Sequence, residues 1–337
     1  MPDVKPEISV VICTHNPDPK MLGAVVDAIG AQENAPPYEL ILIDNCSEPP
    51  VDKSVLRPGG GLRHSCIREY DLGLSRARRT GIEAARGELI CFVDDDNILA
   101  SDYLAEAFRI AQTEPELGVI GGQSLGAFSK QPDWLCRHFL ARYAIRSDEE
   151  PVTISMPERH VRAAEPFGAG MIVRRPVAQS FSELVSAFNM DLPMGRKGTA
   201  LGSGEDTLFS RIAYGAGYQT GYRPTLVLQH VIADDRLHWR YLRRLLEGQA
   251  KGEALLDQLD GIAPPIPDTG APGAPARSAI RFLKRVRSVG LAEAIGLHFW
   301  DRGYVADSEE IRLLAARLSS LLAETKPPAP PRPHQNA

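Results

Sequence analysis

Residues 88–97 read Glu-Leu-Ile-Cys-Phe-Val-Asp-Asp-Asp-Asn, and the fold is decided there. Leu89 to Val93 is a short apolar run with β-branched members, the pattern of a buried strand. It delivers three carboxylates in succession, Asp94, Asp95 and Asp96. Side chains alternate faces along extended backbone, so Asp94 and Asp96 are expected on one side and Asp95 on the other. Two carboxylates at the C-terminal end of a buried strand suit a hard divalent cation, Mg²⁺ or Mn²⁺. Such a cation bridges phosphate oxygens and neutralises a departing diphosphate. The bland alternative is a solvated turn that caps the next helix.

The flanking sequence decides between them. Ile8 to Cys13 is a second apolar strand, followed by the tight loop Thr14-His15-Asn16-Pro17. Lys20 to Gln32 places Leu22, Val25, Val26 and Ile29 on one helical face. Tyr38 to Ile43 is a strand ending in Asp44-Asn45, and Ser65 to Arg68 is a shorter one. Ser75 to Ala85 reads as a helix, with Gly87 expected as its left-handed cap. The order is that of a parallel α/β sheet with short crossovers. Such sheets bind ligands beyond the C-terminal ends of their strands. Thr14, Asp44 and Asp94 to Asp96 all fall at those ends.

Composition removes several classes. The 337 residues are 43% hydrophobic and 24% charged, an ordinary globular balance. A formal net charge of −5 argues against nucleic acid as a partner. Five cysteines without CxxC spacing point to a reducing compartment and argue against structural zinc. The N-terminus lacks an apolar signal region, and no apolar run approaches the roughly 20 residues that cross a bilayer. No GxGxxG follows the first strand, which disfavours a nicotinamide dehydrogenase.

Further along, Val119 to Ser124 is a strand, and Gln131 to Tyr143 is amphipathic and carries Trp134. Phe167-Gly168-Ala169-Gly170 turns into the strand Met171 to Val173, and Gly168 and Gly170 permit close backbone approach to a ligand. Leu192 to Gly204 has four glycines and two basic residues and reads as a mobile loop. Gly204-Glu205-Asp206-Thr207 opens a helix that Gly217 closes, and a strand at Leu226 to Leu228 leads to His230. Leu237 to Leu259 is a long amphipathic helix with Arg240, Arg243 and Arg244 near its start. Beyond the Pro/Gly-rich segment, Ala279 to Val289 has an apolar stripe opposite Arg277, Arg281, Lys284 and Arg285. That face fits an anionic membrane surface, or equally a helix packed on its own domain.

Four segments together resemble the family 2 glycosyltransferases, inverting enzymes of the nucleotide-sugar-binding GT-A fold. They are Ile8 to Asn16, Leu40 to Asn45, Asp71 to Asn97 and Gly204 to Arg211. Asp71 and Arg79 depart from the family's usual Asn at these positions. The resemblance implies an α/β chain, a mostly parallel Rossmann-like sheet flanked by helices, with a C-terminal helical extension. It divides the chain into a GT-A domain at 1–235, with a nucleotide-sugar-binding half at 1–118 and an acceptor-binding and catalytic half at 119–235. A helical segment at 236–260, a linker at 261–276, a helical extension at 277–325 and a disordered tail at 326–337 follow.

The implied activity is inverting transfer of a sugar from a nucleotide sugar, UDP-linked, to a hydroxyl acceptor that is glycan or lipid-linked, assisted by Mn²⁺ or Mg²⁺. Thr14 and Asn16 would hold the nucleotide, Asp44 the uracil N–H, and Arg76 or Arg79 the diphosphate. Asp94 and Asp95 would serve the donor, with Asp96, Asp94 and His230 at the metal. Either Glu205 or Asp206 could be the catalytic base, and the resemblance favours Asp206, with Glu205, Gly168, Gly170 and Trp134 shaping the acceptor pocket. The alternatives are a nucleotidyltransferase, disfavoured by the loop after the first strand, and a non-catalytic sugar-nucleotide-binding protein. The expected location is cytoplasmic, with residues 277–300 available for peripheral contact at the inner face of the membrane. The oligomeric state is open.

Overall fold

A computed structural model describes residues 4–56, 63–155, 165–188, 194–197, 200–260, 274–304 and 308–330. The first half runs β1 (Ile8–Thr14), α1 (Pro19–Gly30), β2 (Tyr38–Asn45), β3 (Arg63–Glu69), α2 (Leu74–Ala84), β4 (Leu89–Asp94), β5 (Asn97–Leu99) and α3 (Tyr103–Thr113). The second half runs β6 (Leu117–Phe128), α4 (Trp134–His138), β7 (Val152–Ile154), β8 (Ile172–Arg174), α5 (Arg175–Phe188), β9 (Arg196–Lys197), β10 (Ala200–Leu201), α6 (Glu205–Gly215) and β11 (Gln219–Ile232). Four helices follow: α7 (Trp239–Leu259), α8 (Ala274–Val289), α9 (Leu291–Tyr304) and α10 (Ser308–Glu324).

The main sheet has the order β3-β2-β1-β4-β8-β6-β11-β5, with β7 also on β11. β1 pairs parallel with both β2 and β4, β2 with β3, and β6 with β11. β8 enters antiparallel between β4 and β6, so the sheet is mixed. The register sets Thr14 beside Asp44 and Cys13 beside Asp94. β1 and β2 are apolar on both faces because both faces are covered. Val11, Ile41, Ile43 and Phe92 face the layer of α2, α5 and α6, where Phe181 stacks on Phe209 with centroids 4.0 Å apart. Val10, Ile12, Leu40 and Leu42 face α1 and α3. A third core joins Leu135 and Phe139 to Leu242, Leu245 and Leu246 on α7.

Several expectations change. β5, β7 and α5 escaped the sequence patterns. Gly87 has no positive φ and caps nothing. Its role is steric: a Cβ there would lie 2.6 Å from the Ser9 nitrogen and 2.7 Å from the Ile8 carbonyl carbon. The expected linker falls at 261–273 outside the described residues, while 274–276 already belong to α8. In the expected tail, Pro327 is buried, and residues 331–337 lie outside the described set. On α8, Phe282 and Val286 are half-buried and Arg285 pairs with Asp301 of α9 at 2.7 Å. Leu283 and Val289 stay exposed, and the side chains of Arg277 and Arg281 fall outside the described residues. No helix among the described residues is long and apolar enough to cross a membrane.

Gly87→Ala is therefore expected to destabilise the fold by about 1–3 kcal/mol, because backbone has to move to admit one methyl group. Urea unfolding would show it as a lowered midpoint; an unchanged or raised midpoint would contradict the close approach.

Candidate active site

A cavity of about 500 Å³ opens over the C-terminal strand ends, a volume typical of small-ligand sites. β1 contributes Cys13 and Thr14 to its lining, and His15 follows. Asn45 comes from β2, and Asp94, Asp95 and Asp96 from the end of β4 and its turn. Asp206 arrives from the first turn of α6, 110 residues after Asp96 in the chain (206 − 96), and His230 from β11.

All three aspartates line the cavity. Strict alternation fails because β4 ends at Asp94 and the chain turns through Asp95 and Asp96 before β5. Thr14 donates its hydroxyl to Asp95. Burial pushes the Asp95 carboxyl up to about 6, against the pull of Thr14, with Asp96 and Asp94 adding to the rise. Asp96 accepts from Asn97 Nδ2 at 3.0 Å and from the Arg236 guanidinium at 3.0 Å, and lies 3.5 Å from His230 Nε2. Burial favours its neutral form, yet His230 and Arg236 outweigh burial and hold it below the usual carboxylate range.

Asp206 is held at both oxygens. Oδ1 accepts from its neighbour Thr207 N at 2.9 Å, and Oδ2 accepts from Gly168 N at 3.2 Å. Beneath it, Glu205 is 3% exposed, takes the Ser75 hydroxyl, and pairs with Arg78 at 3.2 Å. Arg78 is packed under Phe92 and Phe209, its guanidinium carbon 5.5 and 6.0 Å from their ring centres. A Cβ at Gly168 would lie 2.6 Å from Arg78 Nη2, so the missing side chain makes room for this cation. The loop before α6 is seated from the other side. A Cβ at Gly248 of α7 would lie 2.0 Å from the Leu201 carbonyl oxygen, and one at Gly252 would lie 1.8 Å from that of Ser203.

Other expected contacts go elsewhere. The Asp44 carboxylate turns into its own loop, accepting from Ser47 N at 3.0 Å, Val51 N at 3.1 Å and Arg68 at 2.6 Å. Burial would raise its pKa, but those donors win and hold it low. It is absent from the cavity lining, and Asn45 stands there instead. Asn16 ties the loop together through Ser47 and the Glu48 amide and does not line the cavity. Arg76 pairs with Asp71 at 2.8 Å and Arg79 lies 3.6 Å from Glu83; both sit outside the lining. Arg78 of the same helix does line the cavity, together with Arg142, Arg196, Arg236 and Arg244. Gly170 is a packing residue with φ +69°, its carbonyl accepting from the Tyr103 hydroxyl at 2.6 Å. Trp134 is 54% exposed and away from the cavity; Trp300 of α9 lines it. Glu205 lines the cavity floor as a member of the buried Arg78 network.

A divalent cation fits this donor set. Asp94, Asp95 and Asp96 offer oxygen atoms, and His230 Nδ1 is buried with no hydrogen-bond partner. Among the described residues no three His, Cys, Asp or Glu side chains form a complete metal cage. Mg²⁺ is commonly held by only one or two protein carboxylates, with substrate phosphates and water completing its shell.

The layered mixed sheet with acidic groups at its strand ends is a GT-A glycosyltransferase fold. Residues 9–171 match the model of glycosyl transferase family 2. An N-acetylglucosaminyltransferase of Rhizobium sp. (strain N33) is 27% identical over 250 residues, 69% of this chain and 50% of that protein. An N-acetylglucosaminyltransferase of Bradyrhizobium diazoefficiens is 25% identical over 77% of this chain and 53% of its own length. The chain thus spans about half the length of these relatives. Among solved structures, the mannosyltransferase PcManGT of Pyrobaculum calidifontis, in complex with GDP-Man and Mn²⁺, matches with a TM-score of 0.52 at 18% identity. That match covers 96% of this chain and 86% of the other, and it shows the shared fold.

Burial pushes the Glu205 carboxyl from an ordinary 4.5 up to about 7, against the attraction of Arg78, while Asp206 adds to the rise. The native state therefore retains a proton that the unfolded chain has already lost. Its stabilising contribution is full below 4.5 and is lost as pH rises through about 7. Unfolding free energies measured across that window should fall more for the wild type than for Glu205→Gln. Equal slopes would assign the titration elsewhere.

Proposed function

We propose that the chain is an inverting glycosyltransferase that moves a sugar from a nucleotide sugar to a hydroxyl acceptor. The observation that carries this reading is the presence of Asp206 in the same cavity as Asp94, Asp95 and Asp96. Donor-side carboxylates and a separate, held carboxylate are the two parts that a single displacement at an anomeric carbon needs.

Thr14, His15 and Asn45 form the wall assigned to the nucleoside, replacing Asp44 in that role. Asp96 and Asp94 would hold the divalent cation, with His230 beside them. When bound, the cation offsets negative charge on the diphosphate. Arg78, Arg196 and Arg236 add fixed positive charge around the same space. Asp206 accepts the proton of the acceptor hydroxyl as that oxygen attacks, because Gly168 N–H and Thr207 N–H fix its carboxylate without protonating it. No acid is needed on the leaving side, since a nucleoside diphosphate departs as a stable anion. The names of the relatives point to N-acetylglucosamine as the sugar, and UDP is the carrier expected from the sequence. A glycan or lipid-linked hydroxyl remains the acceptor class.

Asp206→Asn should lower kcat by about 10²–10⁴-fold, the usual contribution of a positioned general base. UDP affinity should stay within about twofold, because the hydrogen bonds of Asp206 run to the Gly168 and Thr207 amides and not to the nucleoside wall. Product formation from UDP-N-acetylglucosamine with calorimetric UDP binding would check both. Wild-type turnover in the variant would move the base elsewhere.

A further inference from the structure

The carboxylates occupy the strand-end wall of the cavity. A different wall is built from the segment after α4 and from α7 and α9, and carries Arg142, Arg244, Gln249, Glu253 and Trp300. The guanidinium carbon of Arg142 lies 4.6 Å from the centre of the Trp300 ring. Among the described residues no carboxylate forms an ion pair with it, and the one acidic group acting on it, Glu293, is paired to His138 at 3.1 Å. The side chain is solvent-accessible, so a ligand can reach it. Its backbone is pinned, because Gln249 Nε2 donates to the Arg142 carbonyl at 2.8 Å. That bond fixes the orientation of the amide and leaves Gln249 Oε1 buried with no partner.

These groups specify a ligand chemistry. A guanidinium backed by an indole keeps its in-plane N–H fork directed outward, the geometry that grips a carboxylate or phosphate through two parallel bonds. An amide oxygen stripped of water and unpaired calls for a donor, and a sugar hydroxyl is one. The same wall carries the guanidinium of Arg244 and the carboxylate of Glu253. A neutral saccharide would satisfy the amide and leave the cation idle; an anion without hydroxyls would do the reverse. We propose that this wall is the acceptor subsite and that it takes an anionic saccharide. Its carboxylate or phosphate is gripped by Arg142, and an adjacent hydroxyl donates to Gln249 Oε1. This inference rests on the glycosyltransferase reading, since it supplies the acceptor class of that site.

The test uses the full chain saturated with UDP and titrated calorimetrically with methyl glucuronide, glucose 6-phosphate and neutral methyl glucoside. At least one anionic sugar should bind about tenfold more tightly than the neutral one, the scale of one charge-assisted contact. The tighter of the two anions tells carboxylate from phosphate. Arg142→Gln should bring all three within about twofold, and Arg142→Lys should retain part of the preference, because it keeps the charge without the fork. Trp300→Leu, which removes the surface that aims the guanidinium, should also weaken the preference and serves if Arg142→Gln fails to fold. The proposal is overturned if the neutral sugar binds as well as both anions, if no saccharide binds, or if the preference survives in these variants. Failure of UDP itself to bind the wild type would instead sink the donor reading; the same titration without UDP still judges the wall.

Discussion

A single buried cation underlies the geometry of the site. Arg78 lies beneath the cavity floor, paired with Glu205 and covered by the rings of Phe92 and Phe209. A guanidinium stripped of water is costly unless charge and hydrogen bonds replace the solvent, and removing one partner of a buried pair typically costs about 3–5 kcal/mol. The chain meets that requirement with groups from distant places: α2 brings Arg78 and Ser75, α6 brings Glu205, and the turn before β8 brings Gly168. The same groups set the position of Asp206. Its neighbour Glu205 is locked to Arg78, and Gly168, which sits against Arg78, donates its amide to the Asp206 carboxylate.

The first half of the fold was legible because its signals are local. Apolar strands ending in polar residues, with short helices between them, leave few arrangements other than a parallel sheet. The register then places Asp44 beside Thr14 and Asp94 beside Cys13, close to what the strand ends implied. Asp44 shows the limit of that logic. A strand end fixes where a Cα lies but not which donors reach the carboxylate, and Arg68 with two loop amides reached it first.

On α2 the arginine that lines the cavity is not one of those expected, for a different reason. Arg76, Arg78 and Arg79 are nearly adjacent, and only helical phase separates them. Ser75, Arg78 and Ile82 fall on the buried face at spacings of three and four. That phase was readable, but a charged residue on a buried stripe is rare without a partner, and the partner lies 127 residues away. Trp134 and Trp300 repeat the lesson at larger scale. One sits beside the site in the sequence and faces solvent, while the other follows residues 261–273 and lines the cavity. No local pattern reports that α9 folds back onto α7.

Helix α7 meets the strand-end machinery through what it lacks. At Gly248 and Gly252 the peptide groups of Leu201 and Ser203 come so near that not even a methyl fits between. Contact of this kind reads shape and ignores polarity. The polar side chains on that helix can therefore be exchanged without disturbing the seat of the loop that leads to Asp206. What that helix has to keep is the pair of notches, a demand on shape that places none on charge.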